Sequence, residues 1–269
     1  MSFLVLLLLL LLENGSRWRH GVQRDAWLLA ALRRVEARGA ADWQLPLLLG
    51  LPLLAVGALL WSLAPLAYGW LLLPLHLLLL LWSLGRGDVQ RQLAPFRASW
   101  QRGDAEAAYL DVQRDLGVQA EDDVGLLREV QGYLLWQAHQ GFFAVVCWYA
   151  LLGPLPALAY RLLALVETHA LGAPLRERAR RLRGALDWLP ARLLAVSLAL
   201  AGNFAGTLRS ARGRWLGGAD AAALVVDAGR AAADLGEGGG VESLDELWRL
   251  LQRTALVWYC AVALWVLLV

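Results

Sequence analysis

The sequence predicts an all-helical, polytopic integral membrane protein, and three observations carry that prediction. Residues 45–84 form one apolar run in which His76 is the only side chain able to carry charge near neutrality. The chain is 59% hydrophobic with a mean hydropathy of +0.49, yet 18% of its residues are charged, so apolar spans must alternate with solvated segments. No stretch alternates apolar and polar residues as a half-buried strand would. Because lipid offers no partner to an unsatisfied backbone group, the spans are expected to be helices. One membrane domain over residues 1–269 is expected, with spans near 45–64, 66–84, 142–166, 186–206 and 254–269 and a cytoplasmic helical region over 87–135.

The chain opens with an apolar run at residues 3–12, too short for a perpendicular crossing. It lacks the basic start and small-residue cleavage site of a signal peptide, so an attached, half-inserted helix is expected. Arg17, Arg19, Arg24, Arg33 and Arg34 follow and place the next segment in the cytoplasm by the positive-inside rule. Residues 23–38 set Trp27, Leu28, Ala31, Leu32 and Val35 on one side, the pattern of an amphipathic helix.

The long apolar run is two spans, since a bilayer core takes about 20 residues per helical crossing. Ala64-Pro65 and Tyr68-Gly69 mark the turn between them. Arg86, Arg91, Arg97 and Arg102 return the chain to the cytoplasm. Within 87–135, Asp104 is suited to cap AEAAYLDVQRDL, Gly117 to end it, and Asp122 or Asp123 to start the next helix.

Residues 142–166 are long enough to cross, but Gly153-Pro154 and Pro156 interrupt the centre and arginines lie on both sides. Either a re-entrant or kinked pair of half-helices forms, or the arginine rule fails here. Residues 185–206 pose the same problem, with Asp187, Arg192 and Asn203 inside the apolar stretch. An Ala- and Val-rich helix is expected from 219, a break at GEGGG (236–240), and a helix from near Ser243 running into the last span.

The chemistry is narrowed first by absence. With no lysine in the chain, a P-loop, a Schiff base and a Ser-x-x-Lys nucleophile are all excluded. A net charge of +2 gives no reason to expect nucleic acid. Cys147 and Cys260 make no disulfide framework, and the four histidines lack metal-ligand spacing, so no metal site is expected.

Ionisable residues within apolar runs are the ligand-binding candidates, because a charge facing lipid is costly. Asp187, Pro190 and Arg192 in ALDWLPARLL form the strongest group. Arg183 lies four residues before Asp187, so the two could pair on one face. Pro190 is expected to interrupt the hydrogen-bond ladder and expose a helix end, as ligand sites in broken membrane helices do. The plain alternative is an interfacial ion pair that fixes the helix depth. Arg161 and Glu167 either join such a site or snorkel to the interface. Arg86 and Asp88 either join it or form a solvated turn. His76 is a packing histidine or a proton relay.

The runs WYALLGPLPALAYR (148–161) and ALDWLPARLLA (185–195) resemble the CobD/CbiB family, membrane enzymes that form an amide in cobalamin biosynthesis. A closer resemblance is to the AmpE family. MSFLVLLL, SLGRGD at 83–88, VQGYLLWQAHQGFFAVVCWYALLGP at 130–154 and LDWLPARLLA at 186–195 carry it. That resemblance implies a multi-pass protein of the Gram-negative inner membrane that modulates β-lactamase induction, hence antibiotic resistance. It implies a functional link to the muropeptide amidase AmpD, with membrane lipids and a muropeptide or other anionic amphiphile as partners. The synthases carry an acidic stretch that falls here on Gly132 and Trp136, an amide on Gln137 and a later aspartate on Gln140. Glu167, Asp187 and Arg192 are retained, so part of a pocket is expected without the carboxylates that would hold Mg with nucleotide. A signalling or binding role without cofactor or catalysis is therefore expected. A nucleotide-dependent ligase or transferase and a transporter or transport accessory stand as alternatives.

Overall fold

The computed structural model describes residues 4, 5, 7–9, 25–37, 39, 43–65, 70–85, 89–117, 122–212, 220–236 and 240–268. Among them there are helices and no strand. The turn at Tyr68-Gly69, the site candidates Arg86 and Asp88, Arg17, Arg19 and Arg24 and the centre of GEGGG lie outside the described residues. The described helices are α1 (Ala26–Glu36), α2 (Gln44–Leu63), α3 (Leu72–Ser83), α4 (Val89–Gln92), α5 (Ala94–Gln101), α6 (Ala105–Leu116) and α7 (Asp123–Ala138). A π-helical turn (His139–Phe143) follows, then α8 (Ala144–Leu152), α9 (Pro154–His169), α10 (Ala173–Ala201), α11 (Phe204–Ser210), α12 (Ala221–Ala232) and α13 (Glu242–Leu268).

The chain forms two compact units, one of Met1–Arg86, Ala144–Trp188 and Val262–Val269, the other of Gly87–Phe143 and Leu189–Ala261. In the first, α9 is the centre. Its Leu163 and Val166 pack with Leu32 and Val35 of α1, Leu45 and Leu48 of α2 and Leu175 and Ala179 of α10. Its Leu158, Leu162 and Leu165 pack with Leu28 of α1 and with Leu79 and Trp82 of α3. The α1 helix thus buries Leu28, Leu32 and Val35 as its periodicity predicts, while Trp27 faces outward and meets the ring of Trp82 instead.

The α2 helix buries only Gln44, Leu45 and Leu48, all near its start. Beyond them Leu54 is 75% and Trp61 83% exposed. A soluble core helix would hide such residues. Twenty residues at about 1.5 Å each match the hydrocarbon thickness of a bilayer. Among the described residues α2 and α10 are long and apolar enough to cross a membrane; α3, with 12 residues, is apolar but shorter than the span expected at 66–84.

The second unit carries the cap chemistry expected of 87–135. Asp104 accepts a hydrogen bond from the Ala107 amide, Gly117 ends α6 at φ 68°, and Asp122 accepts from the Gly125 amide to start α7. Arg97 of α5 pairs with Asp245 of α13 at 2.5 Å, and Gln131 of α7 donates to Ser243.

Two prolines behave differently. At Gly153 the backbone adopts φ 86° and ψ −163°, α8 stops, and Pro154 opens α9, which agrees with an interrupted 142–166 segment. Pro190 does not interrupt α10, which runs unbroken for 29 residues. The expected helix break there is corrected by the structure. Proline removes its own N–H and crowds the carbonyl of residue 186, but one missing bond is tolerated where neighbours hold the flanking turns. Asp187, Ala191, Leu194 and Ala195 around it are all buried.

Candidate functional site

The connection between α9 and α10 turns the chain back within three residues, so late residues of α9 face early residues of α10. His169 donates from Nδ1 to the Leu165 carbonyl, and Arg176 donates from Nε and Nη2 to the Ala170 carbonyl, closing the C-terminal end of α9. On the other side of the turn, the Leu171 and Gly172 amides donate to one carboxylate oxygen of Glu36, at 2.8 and 2.9 Å. A carboxylate at the start of α10 meets both its unsatisfied amides and the positive end of its dipole.

Above that turn four side chains of the first unit come together. Tyr160 of α9 donates its hydroxyl to Asp187 Oδ1 of α10 at 2.6 Å. Both residues are buried, at 1% and 2% exposure. A hydroxyl donated to a carboxylate at this length is a charge-assisted bond, stronger than a neutral one. The Arg183 guanidinium lies over the Tyr160 ring, 5.2 Å from its centroid, and its Nη1 pairs with Glu167 Oε2 at 3.0 Å. Arg183 feels the Asp187 carboxylate four residues on, as the helical spacing suggests, while its direct ion pair crosses from α10 to α9. Spacing along one helix says nothing about the packed neighbour, and Glu167 offers Arg183 a partner there.

Arg161, next along α9, points elsewhere. Its Nη2 lies 3.5 Å from Asp25 Oδ2, just ahead of α1. Asp25 is 3% exposed, so this is a sheltered ion pair rather than a lipid-facing charge.

Of the candidates read from the sequence, Glu167 and Asp187 thus meet in one cluster, and Arg161 belongs to the same unit. Gln137 sits in α7, half-buried, and Gln140 in the π-helical turn, both in the second unit. Pro190 and Arg192 belong to that unit too, and Arg192 is buried at 8% exposure. Among the described residues no three His, Cys, Asp or Glu side chains gather as metal ligands would. Sequence reasoning missed Tyr160 and Asp25 altogether, and named Arg183 only as a partner for Asp187. Tyr160 stands inside the aromatic run of the family resemblance, next to Arg161, which was a usable signal. Asp25 carries none, because its partner lies 136 residues away in the chain.

Chemically the cluster is a hydrogen-bonded charge network. Arg183 is set between one carboxylate and one aromatic face, and Asp187 is held as an acceptor by a tyrosine. The arrangement suits the positioning of charge for recognition.

The family model described as regulatory signalling modulator protein AmpE matches residues 1–216 of the chain. No curated protein and no solved structure matches it.

Proposed function

Since the chain belongs to the AmpE family of regulatory signalling modulators, we propose that it is a multi-pass protein of the bacterial inner membrane that modulates β-lactamase induction. In this reading it senses a muropeptide or a similar anionic amphiphile, in a functional link with the amidase AmpD. Binding, without catalysis and without a cofactor, is the whole of its chemistry. The scaffold is that of the CobD/CbiB superfamily, with the ligand held by what remains of that family's pocket.

The observation that carries the membrane half of the reading is the outward apolar face of α2, which water would not tolerate over 20 residues. The family match carries the regulatory half. The Glu167–Arg183–Tyr160–Asp187 network supports recognition of a charged group, since charges inside an apolar setting mark functional sites by default.

The test is topology together with phenotype. Single cysteines placed in 168–184 and in 207–218, at the two ends of unbroken α10, are expected to be labelled from opposite sides of the membrane. Deletion of the chain is expected to shift the β-lactam concentration at which β-lactamase is induced. Labelling of both segments from the same side, or an unchanged induction curve in the deletion strain, would refute the corresponding half.

A further inference from the structure

We propose that Arg183 is the residue that receives the ligand's charged group, that this group is a carboxylate, and that Glu167 is an internal competitor occupying its place. This rests on the binding reading above and narrows it to one cation and one chemical class.

Four features of the network lead there. Arg183 reaches the Tyr160–Asp187 pair through its contacts, lying over the tyrosine ring while pairing with Glu167. Its Nε is buried with no acceptor, so the guanidinium holds a donor that Glu167 leaves unused. A buried donor of a charged group gains more from an acceptor than an exposed one does. Glu167 is the outermost member, with its side chain 25% exposed against 12% for Arg183, and can swing towards water. Tyr160 and Asp187, both nearly inaccessible, stay in place as the back wall.

The class of ligand follows from charge. Arg183 already faces two carboxylates, Glu167 through a direct pair and Asp187 through Tyr160. Exchanging Glu167 for a ligand carboxylate keeps the balance unchanged. A phosphate dianion would add a further negative charge beside buried Asp187, where repulsion is weakly screened. A planar carboxylate also suits a guanidinium stacked on a ring, and an untethered one can reach Nε as Glu167 does not. Because Glu167 competes, the measured affinity is the intrinsic one scaled down by the fraction of molecules in which Arg183 is released.

The experiment uses the full chain in nanodiscs, with N-acetylalanine as carboxylate probe and inorganic phosphate as its counterpart, followed by saturation-transfer NMR. Glu167→Gln is expected to bind N-acetylalanine about three- to tenfold tighter than the unmodified chain, the range expected for removing a partly exposed competing pair. Arg183→Gln and Arg183→Lys are expected to lose it, the second because an ammonium does not replace the planar fork. Phosphate is expected to bind more weakly than the carboxylate in every form. Equal or weaker binding by Glu167→Gln, retention by Arg183→Lys, or a preference for phosphate would each overturn the proposal. If Glu167→Gln does not fold, Glu167→Asp withdraws the competitor by one methylene and is expected to tighten binding in the same direction. No tightening there overturns the proposal equally. An Arg192→Gln arm separates this inference from the broader reading. Loss of binding there, with retention in the Arg183 variants, refutes Arg183 and leaves an anion-binding protein. Failure of every form to bind either probe refutes both.

Discussion

Two proline-bearing stretches of this chain look alike on paper and fold differently. Gly153-Pro154 ends one helix and starts another, whereas Pro190 sits inside α10 without breaking it. The difference is local conformation against packing. Gly153 occupies φ 86° and ψ −163°, a region all but closed to residues with a Cβ, so the chain is committed to a break before any neighbour arrives. Pro190 only withdraws one donor, and the buried residues around it, including Asp187 tied to Tyr160, keep the helix together. A proline in an apolar run is therefore a break when a left-handed glycine precedes it, and a tolerated defect when its flanks are held.

Substitutions at the two places test that contrast. Gly153→Val should have the largest effect, lowering stability by about 2–3 kcal/mol, the strain of putting a branched side chain at such angles. Thermal unfolding in detergent would register it, and a wild-type midpoint would mean that the glycine is not what sets the break. Tyr160→Phe comes next. It strips a donor from buried Asp187 and is expected to cost about 1–2 kcal/mol in the same assay. If packing at Asp187 is what holds the helix across Pro190, the loss in Tyr160→Phe should shrink when Pro190→Ala is combined with it, since the alanine restores the backbone bond. Pro190→Ala alone should have the smallest effect, a gain of no more than about 1 kcal/mol with the helical circular dichroism unchanged. A clear destabilisation by that alanine would show that the site needs the proline's geometry.

What could be read from the sequence was local. The caps at Asp104 and Asp122 and the stop at Gly117 depend on residues three or four positions apart, and they stand where the pattern puts them. The apolar character of α2 was plain, as was the interruption at Gly153-Pro154. The site was legible only in part. Glu167 and Asp187 stood out as charges inside apolar stretches, but their partners are chosen across a helix interface. Tyr160 and Asp187 are 27 residues apart, and Arg183 and Glu167 are 16. Helical periodicity fixes which residues share a face and leaves open which face meets which, so the Arg183–Glu167 pair between helices could not be read from it. The reading of Pro190 failed for a related reason, since propensity describes an isolated helix and the packed one follows its neighbours.

The bond from Glu36 to the Leu171 and Gly172 amides has a consequence for how the protein is made. The carboxylate is synthesised 135 residues ahead of the first amide it receives. The acceptor leaves the ribosome well before the turn whose amides it will accept. Shearing away the first 36 residues after assembly, or never translating them, would leave the start of the longest described helix without its counter-charge. The opening of the chain therefore acts as a latch for its middle, and a shortened transcript should yield a protein whose fault shows up well over a hundred residues downstream.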